Sequence, residues 1–425
     1  MSDSVDRQLA ARLLVRVEGG AYSSRLLAGS LPAGVRARVL GALRWQRTLD
    51  AALAAPLRKP LDRLDPEVRA VLRVALLEAA VLGVPVAVAT DAAVRTVRRL
   101  GKSSAAGLVN AVLRRAAPAW TALLERAAPD LRLSHPEWLY RRWLSAYGAE
   151  AAQRAMAADQ EPAPVWVWWR EERGRADAVA SGIVLRPHPW CPGAWSAPEH
   201  NPALLAAVAA GDAYVQDPSS QLVAHLALGI AGADARLADV CAAPGGKLAL
   251  WRRLGGQITP LALDRHLGRL RLAGRLLERV GGAGLVVGDA TAPPLPPGSR
   301  DLVLVDAPCS GTGTLRRHPE LKWRLRPETI VELGALQARI LRAALELAAP
   351  GGVVLYTTCS VEPEENEELL AGPPAGFEAV ELAALLPQGV PMVPTAADGV
   401  CILPGPDGDG FTMHAVRRKG LEAGE

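Results

Sequence analysis

Cysteine is rare in this chain, five in 425 residues, and two of the five stand where a thiol could react rather than pack. Cys309 follows Pro308 inside LVDAPCSGTGTLRRHPELKWR (304–324), and Cys359 closes the apolar run of LYTTCSVEPEENEE (355–368). Each reads as the end of a strand before a helix N-terminus, where backbone N–H groups and the helix dipole favour a thiolate. A thiolate so placed can form a transient covalent bond and divide one steep barrier into smaller ones. Pro308 would fix the approach to Cys309, and Gly311 and Gly313 would let a flat ring pack close. The odd cysteine count and the lack of any C-x-x-C pair argue against a disulfide framework and a structural zinc. Cys191 and Cys401 read as loop residues without reactive neighbours, hence as core.

A third stretch, DVCAAPGGKL (239–248), is a strand followed by a glycine turn into a helix. A P-loop would need Gly at 241 and Ser or Thr at 248; Cys241 and Leu248 stand there instead. A dinucleotide fingerprint would need G-x-G-x-x-G, and only Gly245-Gly246 is present. An acid still ends the next strand, Asp264, able to accept from both hydroxyls of a ribose, and Asp289 ends the third, where it could receive an adenine amino group. A glycine turn without a phosphate cradle, beside a ribose acid, suits a nucleoside cofactor lacking phosphates, and S-adenosylmethionine is such a cofactor. A lone strand-end aspartate often caps a helix; three at successive strand ends, Asp306 included, say more.

The two cysteines and such a cofactor make one chemistry intelligible. Carbon 5 of a pyrimidine is a poor nucleophile until a thiolate adds to carbon 6 and makes it enamine-like, able to attack a sulfonium methyl group. A base must then remove the carbon-5 proton so that the thiolate can leave. Asp306, three residues before Cys309, could hold a cytosine by its amino group and protonated ring nitrogen, while Arg316, Arg317, Lys322 and Arg324 reach flanking phosphates. On these grounds alone either cysteine could be the nucleophile.

These residues need a scaffold. From about residue 235 short apolar runs alternate with helical segments: RLADV, ITPLALD, AGLVVGD, DLVLVDAP and GGVVLYTTCS. The alternation predicts a mostly parallel sheet with helices on both faces. The turn after Val240, Asp264, Asp289, Asp306 and Cys359 then converge on the crevice outside the strands' carboxyl ends. Residues 1–132 read as a helical bundle, with Leu9, Leu13 and Val17 on one face of the first helix and Asp65-Pro66 opening a later one. Residues 133–232 read as a helical connector, with Ser134 as its cap, followed by a small α+β part containing the β-type run PVWVWWR, whose tryptophans read as core, and a loop-like RPHPWCPGAWSAPEH.

Residues 1–130 hold 20 Lys and Arg against 11 Asp and Glu, although the whole chain carries only +4. A basic helical part on a near-neutral body suggests a polyanion partner, with Arg114 and Arg115 in its contact surface. The longest uncharged apolar stretch, AAVLGVPVAVAT (79–90), is too short to span a bilayer, and the N-terminus lacks a secretory h-region. A cytoplasmic location is expected.

In these motifs the chain resembles the RsmB-type (Sun/Fmu) RNA cytosine-carbon-5 methyltransferases. CAAPGGK, DAPCSGTG, RRHPELKW, TTCSVEPEENE and VQDPSSQL (215–222) match family motifs, and GLVNAVLRR (107–115) with LSHPEWL (133–139) resemble the bacterial form, in which a NusB-like RNA-binding domain precedes the catalytic one. The resemblance implies an all-α NusB-like bundle (1–132), a connector with a small α+β subdomain (133–232) and a Rossmann-like catalytic domain (233–425). It implies Cys359 as nucleophile and Cys309 as the residue assisting release. It implies S-adenosylmethionine binding by Cys241, Ala242, Ala243, Pro244, Gly245, Gly246 and Lys247 with Asp264, Asp289 and Asp306. The expected substrate is a cytosine of 16S ribosomal RNA and the expected state a monomer, with neither metal nor membrane. The same chemistry on tRNA or 23S RNA, and a non-catalytic RNA-binding assembly factor, are the alternatives. Leu248 stands where the family often has threonine, and Thr412 and Met413 where aromatics are more usual.

Overall fold

The computed structural model describes residues 3–29, 31–197 and 201–420. The chain forms two compact units, residues 1–162 with 315–324, and residues 163–314 with 325–425. This differs from the three-part division expected at 132/133 and 232/233: the connector 133–162 packs with the helices before it, and ten residues from much later in the chain join them.

The first unit is helical: α1 (Asp3–Glu18), α2 (Ser23–Leu26), α3 (Ala33–Arg44), α4 (Gln46–Ala54), α5 (Pro66–Ala80), α6 (Val86–Arg99), α7 (Ala106–Arg126), α8 (Pro129–Arg132) and α9 (Glu137–Ala158). Leu13, Val17, Leu43, Leu49, Leu72, Leu76, Val109 and Leu113 meet in its core, each burial contributing about 1.5–3 kcal/mol before conformational entropy is counted. The Asp65 carboxylate caps α5 as predicted, its Oδ1 accepting from the Glu67 N–H at 2.9 Å. Ser134 does not cap the connector helix. Pro136 holds the position before α9, and Ser134, at φ 51°, turns its hydroxyl to the first turn of α4, where the N–H groups of Arg47 and Thr48 donate to it at 3.1 and 3.4 Å.

The second unit opens with β1 (Val165–Trp169), α10 (Glu172–Ala180), β2 (Arg186–Pro187), β3 (Trp195–Ala197), α11 (Pro202–Ala210) and β4 (Ala213–Val215). These strands form an antiparallel sheet in the order β2-β3-β1-β4. The stretch expected to be loop-like thus supplies two short strands, because Trp195–Ala197 completes the hydrogen bonding of β1; Pro198–His200 of that stretch lie outside the described residues. Trp166, Trp168 and Trp169 are buried, as expected of core.

Next come α12 (Pro218–Ala231), β5 (Leu237–Asp239), α13 (Gly246–Arg253), β6 (Leu261–Asp264), α14 (Leu267–Glu278), β7 (Gly284–Val287), β8 (Arg300–Asp306), the short α15 (Leu321–Arg324) that belongs to the helical unit, α16 (Pro327–Leu347) and β9 (Ala348–Thr358). The unit ends with β10 (Phe377–Ala379), β11 (Met392–Pro394), β12 (Val400–Ile402) and β13 (Phe411–Arg418). The large sheet runs β11-β12-β13-β9-β8-β5-β6-β7, with β10 on β13. Strands β5 to β9 pair in parallel, and β13 returns antiparallel beside β9. Side chains alternate across it: Leu302 and Leu304 face one core with Leu248, Trp251 and Leu270, while Val303 and Val305 face another with Ile340, Leu341 and Leu347 of α16. Cys401, expected in a loop, lies in β12, and it is buried, as Cys191 is. Strand order reverses beside β5, so a crevice opens at the carboxyl ends of β5 and β8. Among the described residues no helix is long and apolar enough to cross a membrane.

Candidate active site

The parallel register of β8 and β9 sets Asp306 opposite Thr357. Running three residues past Asp306 and two past Thr357 brings Cys309 and Cys359 together, Sγ to Sγ 3.3 Å. Neither cysteine precedes an α-helix N-terminus as expected; each is followed by a single 3-10 turn, Thr312–Thr314 or Pro363–Glu365. What holds the first turn is close backbone packing. A Cβ at position 313 would stand 2.2 Å from the Gly410 carbonyl oxygen, and the Gly410 N–H donates to the Gly313 carbonyl at 2.7 Å. The Gly313 N–H in turn donates to the Cys359 carbonyl at 3.0 Å. The contact with the Cys359 sulfur, together with burial, holds the Cys309 thiol well above its ordinary range.

Beside the thiols lies a half-buried ion pair. Lys247 Nζ, in the first turn of α13, is 2.5 Å from Asp306 Oδ2, and the Thr357 hydroxyl donates to Asp306 Oδ1 at 3.2 Å. Burial opposes the lysine charge, but Asp306, Asp239 and the Cys359 sulfur outweigh it and hold the ammonium above its ordinary value. The ammonium also sits 5.3 Å from the centre of the Phe411 ring. Asp239, at the end of β5, is pushed up to about 7 by burial and by the neighbouring Asp306 charge. Cys241 is likewise pushed well up, by burial and then by Asp239, Asp306 and Asp264.

A cavity of about 190 Å³ opens over the glycine turn, lined by Asp239, Ala242, Pro244, Gly245, Gly246, Lys247 and Asp306 and, from β4 and the segment after it, Tyr214, Val215, Gln216 and Ser220. Both glycines are needed. Gly245 has φ +97° and passes α14 so closely that a Cβ would come 3.0 Å from that of Ala273, and a Cβ on Gly246 would stand 2.9 Å from the Tyr214 ring. Among the lining residues Lys247 is the one cation, and it is already paired, while Asp239 and Asp306 supply carboxylates. That lining fits a cationic nucleoside cofactor better than a phosphate. Asp264 and Asp289 stand at the successive strand ends but outside this lining. Each spends Oδ1 on its own turn, accepting from the N–H of His266 and of Thr291, both at 2.8 Å.

The basic run after Cys309 does not reach for phosphates. Within the helical unit Arg316 donates to the carbonyls of Glu161 and Pro162, Lys322 to those of Arg44 and Ser134 at 2.9 and 3.1 Å, and Arg324 to those of Val17 and Ala21. Lys322 is fully buried, and burial pushes its ammonium down to about 7. Arg317 is half-buried in the same segment and has partners of its own. The segment is a structural insert: Glu320 accepts from Ser23, and the Trp323 indole N–H donates to the Leu43 carbonyl. Sequence reasoning missed Asp239, Tyr214, Gln216, Ser220 and Thr357. The signal for Gln216 and Ser220 was present in VQDPSSQL; nothing in the sequence marked Tyr214.

A model of the family described as 16S rRNA methyltransferase RsmB/F matches residues 227–413, and a NusB family model matches residues 4–118. The ribosomal RNA small subunit methyltransferase B of Xylella fastidiosa (strain 9a5c) is 36% identical over 380 residues, covering 85% of this chain and 88% of that protein. The protein of the same name from Thermus thermophilus is 33% identical over 439 residues and covers 100% of both. The crystal structure of PH0851 superposes with a TM-score of 0.75 at 21% identity, over 97% of this chain and 99% of that one, a likeness of fold.

Proposed function

We propose, from the premise that this chain belongs to the 16S rRNA methyltransferase RsmB/F family, that it methylates carbon 5 of a cytosine in small-subunit ribosomal RNA through a covalent cysteine adduct. The observation that carries the reading is the pair of thiols 3.3 Å apart beside the Lys247–Asp306 ion pair. S-adenosylmethionine, when bound over the glycine turn, supplies an electrophilic methyl group and a leaving thioether. Within the turn 241–247, Ala242, Pro244, Gly245, Gly246 and Lys247 line its floor while Cys241 and Ala243 lie outside that lining. Asp239 and Asp306 face its cationic end, and Asp264 and Asp289 accept from its ribose and adenine.

The chain's own groups then act on the cytosine. The Cys359 sulfur bonds to carbon 6, and the electron pair of the 5,6 double bond becomes available at carbon 5. Asp306, held by Lys247 and Thr357, accepts from the cytosine amino group. Once carbon 5 carries the methyl group, a base takes its proton, the C–H electron pair re-forms the 5,6 double bond and the Cys359 thiolate is expelled. Cys309, 3.3 Å from the departing sulfur, assists its release.

The helical unit serves as the RNA platform. A cleft of about 620 Å³ between α6 and α7 is lined by Arg98, Asn110 and Arg114, and Arg115 is exposed on the same turn of α7 as Arg114. Among the described residues none of the three arginines makes an ion pair, which leaves them for phosphates. Incubation of the protein with S-adenosylmethionine and 5-fluorocytosine RNA tests the central step, because fluorine at carbon 5 cannot leave as a proton does and the adduct persists.

A further inference from the structure

Each reactive cysteine is followed by a serine, Ser310 and Ser360, and both serines are tied to one buried carboxylate, Glu365. Its Oε1 accepts from the Ser310 backbone N–H at 2.8 Å and from the Gln337 side-chain N–H at 3.0 Å. Its Oε2 accepts from the hydroxyls of Ser310 and Ser360. Four donors thus meet the carboxylate, about the number its lone pairs can take. No ion-pair partner for Glu365 stands among the described residues; its four hydrogen bonds offset the cost of burying the carboxyl group.

The surroundings bolt the same turns. Gln337 of α16 also donates to the Pro308 carbonyl, immediately before Cys309, at 2.8 Å. The Tyr356 hydroxyl donates to the Glu365 carbonyl at 2.7 Å. Asn366 and Thr412 donate to the Ser360 carbonyl at 3.1 and 2.8 Å. Gly334 lets α16 approach until a Cβ there would be 2.8 Å from the Glu364 carbonyl oxygen. The two sulfurs themselves are linked to this network only through their own backbones, so their separation is set by whatever holds the two turns.

We propose that Glu365 is a positioning residue: its carboxylate clamps the turn after β8 to the turn after β9 and thereby holds the Cys309 and Cys359 sulfurs at one spacing. The roles given to the two sulfurs rest on the function proposed above; the clamp itself does not. Its charge also contributes to keeping the Cys309 thiol protonated, behind the larger effects of Cys359 and burial.

The test uses the full chain with Glu365→Gln, which keeps the shape and Oε1 but turns an amide N–H toward two hydroxyls that now donate to a carboxylate. Two readouts are needed. The first is the rate at which diamide oxidises the two thiols to a Cys309–Cys359 disulfide, the diamide being reduced to its hydrazine, followed by mass spectrometry of the linked peptides. The second is single-turnover methylation of ribosomal RNA together with cofactor affinity. The clamp predicts disulfide formation about tenfold slower or more, and methyl transfer about 100-fold slower, with cofactor affinity within about twofold. Ser310→Ala/Ser360→Ala, which removes the two hydroxyl donors and spares the carboxylate, should slow both in the same direction, and replaces the first variant if that one does not fold. Wild-type rates of disulfide formation in a folded variant overturn the clamp. If wild-type protein forms no RNA adduct yet Glu365→Gln still slows the disulfide, the clamp stands and the reading of the cysteines falls.

Discussion

The sulfurs of Cys309 and Cys359 face each other across 3.3 Å at the ends of two adjacent parallel strands. Such a pair cannot arise from one loop; it needs a sheet register that brings separate segments level. Beside it Lys247 reaches in from the turn after β5 and the start of α13 to pair with Asp306 at the end of β8, so three neighbouring strands of the sheet, β9, β8 and β5, meet at one point. The proposed division of labour within the thiol pair gives the bond to the base to Cys359 and its release to Cys309.

That division predicts that Cys309→Ala still forms the adduct but releases it slowly. With unmodified RNA and S-adenosylmethionine, a covalent complex should accumulate on denaturing gels, where the wild-type protein leaves little. Normal turnover by Cys309→Ala removes the release role.

The arginine-lined cleft of the helical unit should bind phosphates. Arg114→Glu/Arg115→Glu is expected to weaken RNA binding by about tenfold or more near physiological salt and to flatten its salt dependence by about two phosphate contacts. Cofactor affinity measured by calorimetry should not change. Equal RNA affinity for variant and wild type assigns these arginines to ordinary solvated helix faces.

Asp239 gives the free protein a pH-dependent stability. Its carboxyl is raised to about 7, so the folded chain holds a proton there that the unfolded chain has released. The corresponding stability is present below pH about 4 and is lost as pH rises toward 7. Asp239→Asn should therefore flatten the fall in stability between about pH 4 and 7, with a gain above pH 7 of at most about 4 kcal/mol. Parallel denaturation curves across that range contradict the raised value.

Lys322 should matter for folding of the helical unit. It is buried, and its ammonium donates to the carbonyls of Arg44 and Ser134, so Lys322→Ala is expected to cost about 2–4 kcal/mol in chemical denaturation. A phosphate-contacting lysine would instead leave stability unchanged and lower only RNA affinity.

The contrast between Lys322 and the strand-end acids shows what sequence can disclose. The runs ending at Asp264, Asp306 and Cys359 are legible because short apolar runs with a fixed punctuation place each residue at a carboxyl end, and parallel topology then gathers them. The family motifs rank the two cysteines, which spacing alone leaves equal. The run LRRHPELKWR reads as a phosphate surface because its charge is local information, whereas its carbonyl partners lie some 280 positions away for Lys322 and Trp323. Asp239 looks like an ordinary strand residue because only the folded crevice brings Asp306 and Lys247 beside it. Ser134 has the chemistry of a cap, but it caps α4 and not its own helix. Thr412, which stands where the family more often has an aromatic residue, donates to the Ser360 carbonyl beside the site.

The most direct measurement is covalent trapping by Cys359→Ala set against wild type, using S-adenosylmethionine and 5-fluorocytosine RNA and reading the protein–RNA complex on a denaturing gel. The wild-type chain should give a stable complex and Cys359→Ala none, although the variant still binds both ligands. A complex of undiminished yield from Cys359→Ala would place the bond to carbon 6 on another residue and contradict the mechanism.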